Sequence, residues 1–148
     1  MSDYISPYIL LSEYQCHCGN CHGLPPMLDT LVDMNDMPTI YSDFFDDFSI
    51  IRNAWGKAIP ISSGYRCPAY NASIGGSLLS AHCFGVALDI SVGTLENVKL
   101  LDSIIEDINP DLRRGTYINT GKWIHIDCAY EAYPRVSENW RTGARWSG

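Results

Sequence analysis

From Val86 to Cys128 the chain changes its apolar period twice, and this limits the folds open to it. Val86 to Val92 alternates as a half-buried strand does. Thr94 can then cap a helix whose apolar face is Leu95, Val98, Leu101, Ile104, Ile105 and Ile108. Asn109-Pro110 ends that helix, because proline cannot continue the hydrogen-bond ladder. Tyr117-Ile118 and Trp123 to Cys128 read as two strands joined by a tight Asn-Thr-Gly turn. Helices and short strands without a regular βαβ alternation predict an α+β fold.

Upstream the pattern is less regular. Residues 1–26 are rich in Cys, His, Gly and Pro. Met27, Leu28, Leu31, Val32 and Met34 have helical spacing and predict a helix from Met27 to about Met37. Asp43 to Trp55 predicts a second, with Phe44, Phe48, Ile51 and Trp55 on one side, Asp43 as N-cap and Gly56 as stop. Ile59 to Ser63 reads as a short strand that Pro60 confines to a sheet edge. Gly64 opens a turn, and Arg66 to Ser80 is loop-like, with Pro68 and Gly75-Gly76. The 148 residues, 46% hydrophobic and 18% charged, fit one globular domain, 1–148, with a Cys/His-rich segment at about 12–24. A formal charge of −7 with no basic stripe argues against a nucleic-acid partner. No run of 18 apolar residues predicts a membrane span, and the first residues lack a standard secretory signal, so synthesis in the cytoplasm is expected.

Three segments carry the chemistry: Ser62 to Pro68, Ser80 to Ile90, and Trp123 to Asp127. Catalytic zinc takes three protein ligands from His and carboxylate and keeps a fourth position open. His82 lies on a loop that runs through Gly85 into the strand carrying Asp89, and His125 sits in an otherwise apolar strand. Two imidazoles and one carboxylate leave a bound dication with net positive charge, suited to polarising a carbonyl and acidifying water. The competing reading is two ordinary, satisfied polar histidines.

Ser-x-His-x-x-Gly-x-Ala-x-Asp from Ser80, followed by Trp123-Ile-His-Ile-Asp127, resembles the zinc D-alanyl-D-alanine carboxypeptidase and murein endopeptidase family, whose fold is shared with the signalling domain of hedgehog proteins. Ser63-Gly-Tyr-Arg-Cys-Pro-Ala-Tyr-Asn71 is similar to that family's upstream signature, and the likeness covers about residues 60–130. The Cys-rich start from Leu11 to Cys21 is similar to phage-borne members. The resemblance implies an α+β fold with a small antiparallel sheet flanked by helices, and a zinc metallopeptidase that hydrolyses a bond in the stem peptide of peptidoglycan, as a D-Ala-D-Ala carboxypeptidase or an endolysin-like murein endopeptidase. It implies His82, Asp89 and His125 as ligands of Zn2+, Arg66 as a contact to substrate or oxyanion, and Ser80 as a substrate contact. Release as a phage lysin through a holin, or carriage in a virion among virion proteins, would bring such an enzyme to the wall. The alternative is a structural or wall-binding virion component that keeps the fold and the metal without turnover.

One departure from the family pattern favours that alternative. Many members carry an acidic general base three residues before the last His ligand, and Lys122 stands there. Asp127 emerges on the same strand face as His125 and is either the substitute base or a partner that orients a ligand. Glu131 and Glu138 are fallback bases. Arg66 as a structural ion pair and Ser80 as a local loop bond are the competing readings for those two residues. Cys16, Cys18 and Cys21, with His22 or His17, offer ligands for a second, structural ion, against which stands a disulfide among them or to Cys67, Cys83 or Cys128. Cys83 and Cys128 flank metal ligands and are expected close together. In the tail, Tyr130, Tyr133, Trp140 and Trp146 with Arg135, Arg141 and Arg145 either line a groove or pack back onto the domain.

Overall fold

The computed structural model describes residues 3–78, 80–119, 121–132 and 142–148. A short hairpin, β1 (Tyr4–Ser6) and β2 (Ile9–Leu10), leads into α1 (Leu11–Tyr14) and α2 (Pro26–Asp29). Then come α3 (Thr39–Trp55), β3 (Ile61–Ser63), α4 (Pro68–Ser73), β4 (Ala87–Ser91) and α5 (Leu95–Ile108). The chain finishes with β5 (Arg113–Tyr117), β6 (Trp123–Asp127), α6 (Ala129–Ala132) and β7 (Arg145–Ser147). The main sheet has the order β3-β4-β6-β5-β7, antiparallel except for the β5–β7 pair at one edge. This is an α+β fold.

Alternation along the strands gives the sheet two unlike faces. Cross-strand partners Leu88, Ile126 and Arg114, and Ile90, Ile124 and Thr116, share one face. Leu88, Ile90, Ile124 and Ile126 are fully buried there, and Arg114 reaches Asp102 and Glu106 of α5 at 2.7 and 2.6 Å. Against this face α5 buries Val98, Leu101 and Ile105, and α3 buries Tyr41, Phe44, Phe45, Phe48 and Ile51 while packing on α5. Each such side chain contributes on the order of 1.5–3 kcal/mol by leaving water. The opposite face carries Asp89, His125, Asp127, Arg113, Tyr117 and Trp123 by the same register.

Several elements differ from expectation. The predicted Met27–Met37 helix is only α2 and a separate 3-10 turn at Met34–Asp36. Asp33 breaks it by accepting from the Asn35 N–H at 2.9 Å, and Val32, Met27 and Met34 stay exposed, so the helical spacing had no surface to bury against. The second helix starts at Thr39 rather than after Asp43, with Pro38 at the N-cap position, and the extra turn buries Tyr41. Within the expected loop, Cys67 caps α4 and Pro68 is its first residue, where a missing N–H costs nothing. The strand around Tyr117 begins at Arg113. No helix among the described residues is long and apolar enough to cross a membrane.

The N-terminal segment is tied to this scaffold by polar contacts at its turns. Glu13 accepts from the Ile61 N–H at 3.0 Å, which satisfies a donor on the exposed edge of β3. The buried Tyr14 hydroxyl donates to Gly85 O at 2.6 Å, and Tyr41 donates to Phe84 O at 3.2 Å. Both hydroxyls hold the turn between His82 and β4.

Candidate metal centre

His82 sits in a 3-10 turn, Ala81–Phe84, that leads into β4. Ser80 starts the turn, its hydroxyl accepting from the His82 N–H at 3.2 Å. Gly85 ends it with φ +78, a conformation glycine adopts without strain, and the chain reverses into the strand that carries Asp89. Asp89 and His125 are direct cross-strand partners on β4 and β6, so their side chains leave the same face side by side. His82, Asp89 and His125 thereby place one ligand atom each within 4.8 Å of one another.

The hydrogen bonds settle which atoms face the centre. His82 Nδ1 lies 2.6 Å from Gly64 O, which can only accept, so the ring proton is on Nδ1 and Nε2 points to Asp89 Oδ1 at 3.1 Å. Burial lowers the His82 pKa and favours the neutral ring. A neutral His82 therefore aims a lone pair at a carboxylate oxygen. His125 places Nδ1 2.9 Å from the same Oδ1, and Nε2 2.6 Å from Asp127 Oδ2. Burial opposes charge on His125, but Asp127 and Asp89 outweigh it and push its pKa up to about 9. Burial likewise raises the Asp89 carboxyl, yet the His125 and His82 rings beside it hold it well below the usual carboxylate range. Two nitrogens and one carboxylate oxygen converging in this way are a donor set that fits Zn2+.

Around these three, further side chains fix orientation. Arg66 donates through Nε to Ser63 Oγ (3.1 Å), through Nη1 to Asn71 Oδ1 (3.1 Å) and through Nη2 to Asp89 Oδ2 (3.2 Å). It is thus an ion-pair partner of a candidate ligand, leaving two of its five N–H groups outside these contacts. Asp127 is completely buried, pairs with Arg113 at 3.0 Å and accepts from the Ala129 N–H at 3.0 Å. Lys122 donates to Ile118 O at 2.7 Å and braces the turn before β6. Glu131 has Asp43, Asp47 and Asp111 as charged neighbours rather than any residue of the centre, and Glu138 lies outside the described residues.

An aromatic wall flanks the centre. Trp146 of β7 lies over Gly115 with its ring 5.4 Å from that of His125, donates Nε1–H to Tyr117 Oη at 2.7 Å, and meets the Arg113 guanidinium at 5.3 Å. Tyr117 stacks on Trp123 at 3.9 Å. Arg145 turns the other way, to Glu106 and the carbonyls of Pro110 and Leu112. Tyr130 packs against the core, whereas Tyr133, Arg135, Trp140 and Arg141 lie outside the described residues. Sequence reading assigned no role to Arg113, Asn71, Tyr117 or Trp123. Asn71 and Trp123 stood within quoted motifs, but Arg113 and Tyr117 are joined to the site only by strand pairing.

Paired imidazoles and one carboxylate on a sheet face, with further groups orienting each of them, define a metallohydrolase type of site. The family model described as Peptidase M15 matches residues 28–127, about two thirds of the chain, and the protein belongs to that family of metallopeptidases. No curated protein matches it.

Proposed function

We propose that this protein is a zinc peptidase that hydrolyses a peptide bond in the stem peptide of bacterial peptidoglycan. The observation that carries the reading is the His82 ring, oriented by Gly64 O so that Nε2 meets Asp89 Oδ1, the same oxygen that His125 Nδ1 meets. His82, Asp89 and His125 would hold the ion. When bound, zinc supplies a Lewis acid that polarises the scissile carbonyl and makes water a better nucleophile near neutral pH. Asp127 keeps the proton on His125 Nε2 and so leaves Nδ1 as the donor atom. Arg66 fixes Asp89, and its remaining N–H groups suit a carboxylate or a developing oxyanion on the substrate. Tyr117, Trp123 and Trp146 give one side of the site a flat surface of low polarity for the peptide.

The test is incubation with purified cell walls and mass spectrometry of the released muropeptides. Release that stops with chelator and returns with zinc is expected, and the masses identify the bond cut. Wall binding with zinc bound but no release would favour the virion component, the reading that Lys122 supports. Asp127→Asn separates the two roles of that residue. As an orienting group, its loss is expected to weaken zinc binding about 10–100-fold, with hydrolysis restored by saturating zinc. A rate that stays low at saturation would make Asp127 the base.

A further inference from the structure

A second cluster of ligand atoms lies outside the centre described above. Cys16, Cys18, Cys21 and Cys67 place their sulfurs within 4.8 Å of one another, and all are free thiols. The first three belong to a loop that closes on itself through the Cys16 N–H to Gly23 O bond at 2.8 Å. The fourth comes from the cap of α4, brought alongside by the Tyr65 N–H to Tyr14 O bond at 2.7 Å. We propose that these four cysteines bind one structural Zn2+ that clamps the N-terminal segment to the loop carrying Arg66.

Geometry and hydrogen bonding support this independently. A tetrahedral ion with Zn–S near 2.3 Å separates its sulfurs by about 3.8 Å. Cys18 and Cys67 Sγ stand 3.9 Å apart. Each sulfur also accepts a backbone N–H: Cys16 from Cys67, Cys18 from Asn20 and Cys21 from Gly23, all at 3.3 Å, and Cys67 from Tyr70 at 3.4 Å. Four thiolates around Zn2+ carry a net charge of −2, and such donors offset it; the four protons leave to solvent on binding. His22, the fourth ligand expected from sequence, is instead exposed and paired with Asp29 at 2.8 Å, while His17 bonds Ser12 O. Cys83 has Arg66, Cys67 and Cys16 as neighbours, whereas Cys128 is buried beside Asp127, and no bond joins the two.

The clamp has a consequence for the peptidase site, because Cys67 directly follows Arg66. The experiment uses the full chain purified under reducing conditions and loaded with Co2+. An intense thiolate-to-cobalt charge-transfer band is expected in the near ultraviolet, since the His82, Asp89 and His125 donor set contains no sulfur. Zinc-loaded protein is expected to hold two ions per chain. Cys67→Ser should lose the band and one ion, and Cys67→His, which keeps four ligands should the serine variant not fold, should shift the band. Absence of the band in the parent protein, a band unchanged by both substitutions, or a thiol titration showing these cysteines paired as disulfides under the same conditions would overturn the proposal.

Discussion

Asp89→Asn is expected to reduce wall hydrolysis on the order of 10³-fold or more, the scale seen when a group stabilising transition-state charge is lost. One Asp89 oxygen faces both imidazoles and the other pairs with Arg66. Asparagine has nearly the same shape, so packing around a residue that is 5% exposed is preserved. What changes is charge. The amide lacks the negative oxygen that balances a dication, and its NH₂ would point at either an imidazole nitrogen or the guanidinium. Muropeptide release and zinc titration of the folded variant measure the effect. Asp102→Asn removes an ion pair with Arg114 on the opposite face and is expected to leave hydrolysis unchanged. A near-parental rate for Asp89→Asn would remove Asp89 from the metal centre.

How much of this was legible in the sequence follows from how local each signal is. The α5 helix was readable because its cap, its apolar face and its terminator lie within one segment, and Thr94 does accept from the Asn97 N–H at 3.1 Å. Asp89 and His125 stood out as polar groups in apolar strands, and His82 as part of the motif that leads into the first of them. The partners of those residues were not readable. Arg66 has many acidic residues to choose from, and only the β3–β4 pairing puts Asp89 within reach. Arg113 and Trp146 reach the site through strand order and a parallel edge pair that no local pattern encodes. Proximity along the chain favoured His22 as a fourth ligand, whereas the fold supplies Cys67 from 51 residues after Cys16. The Met27–Met37 spacing misled for the converse reason, because periodicity announces a face without showing that anything covers it.

Gly64→Ala is expected to destabilise the fold by about 1–3 kcal/mol and to weaken zinc binding together with it. Space, not backbone angle, is the reason. A Cβ at Gly64 would stand 2.6 Å from Tyr14 O and 2.8 Å from Tyr14 Cα, and backbone atoms cannot swing aside as a side-chain tip can. Relief requires the two segments to separate, which strains the Tyr65 N–H to Tyr14 O bond. The same movement displaces Gly64 O, the acceptor that holds the His82 proton on Nδ1. One added methyl group therefore acts on the N-terminal junction and on ligand orientation at once. Urea unfolding and zinc titration of the variant check both halves. A parental unfolding midpoint with unchanged affinity would show that residues 14 and 64 do not approach this closely in solution. A lower midpoint with unchanged affinity would show that His82 keeps its orientation without the Gly64 carbonyl.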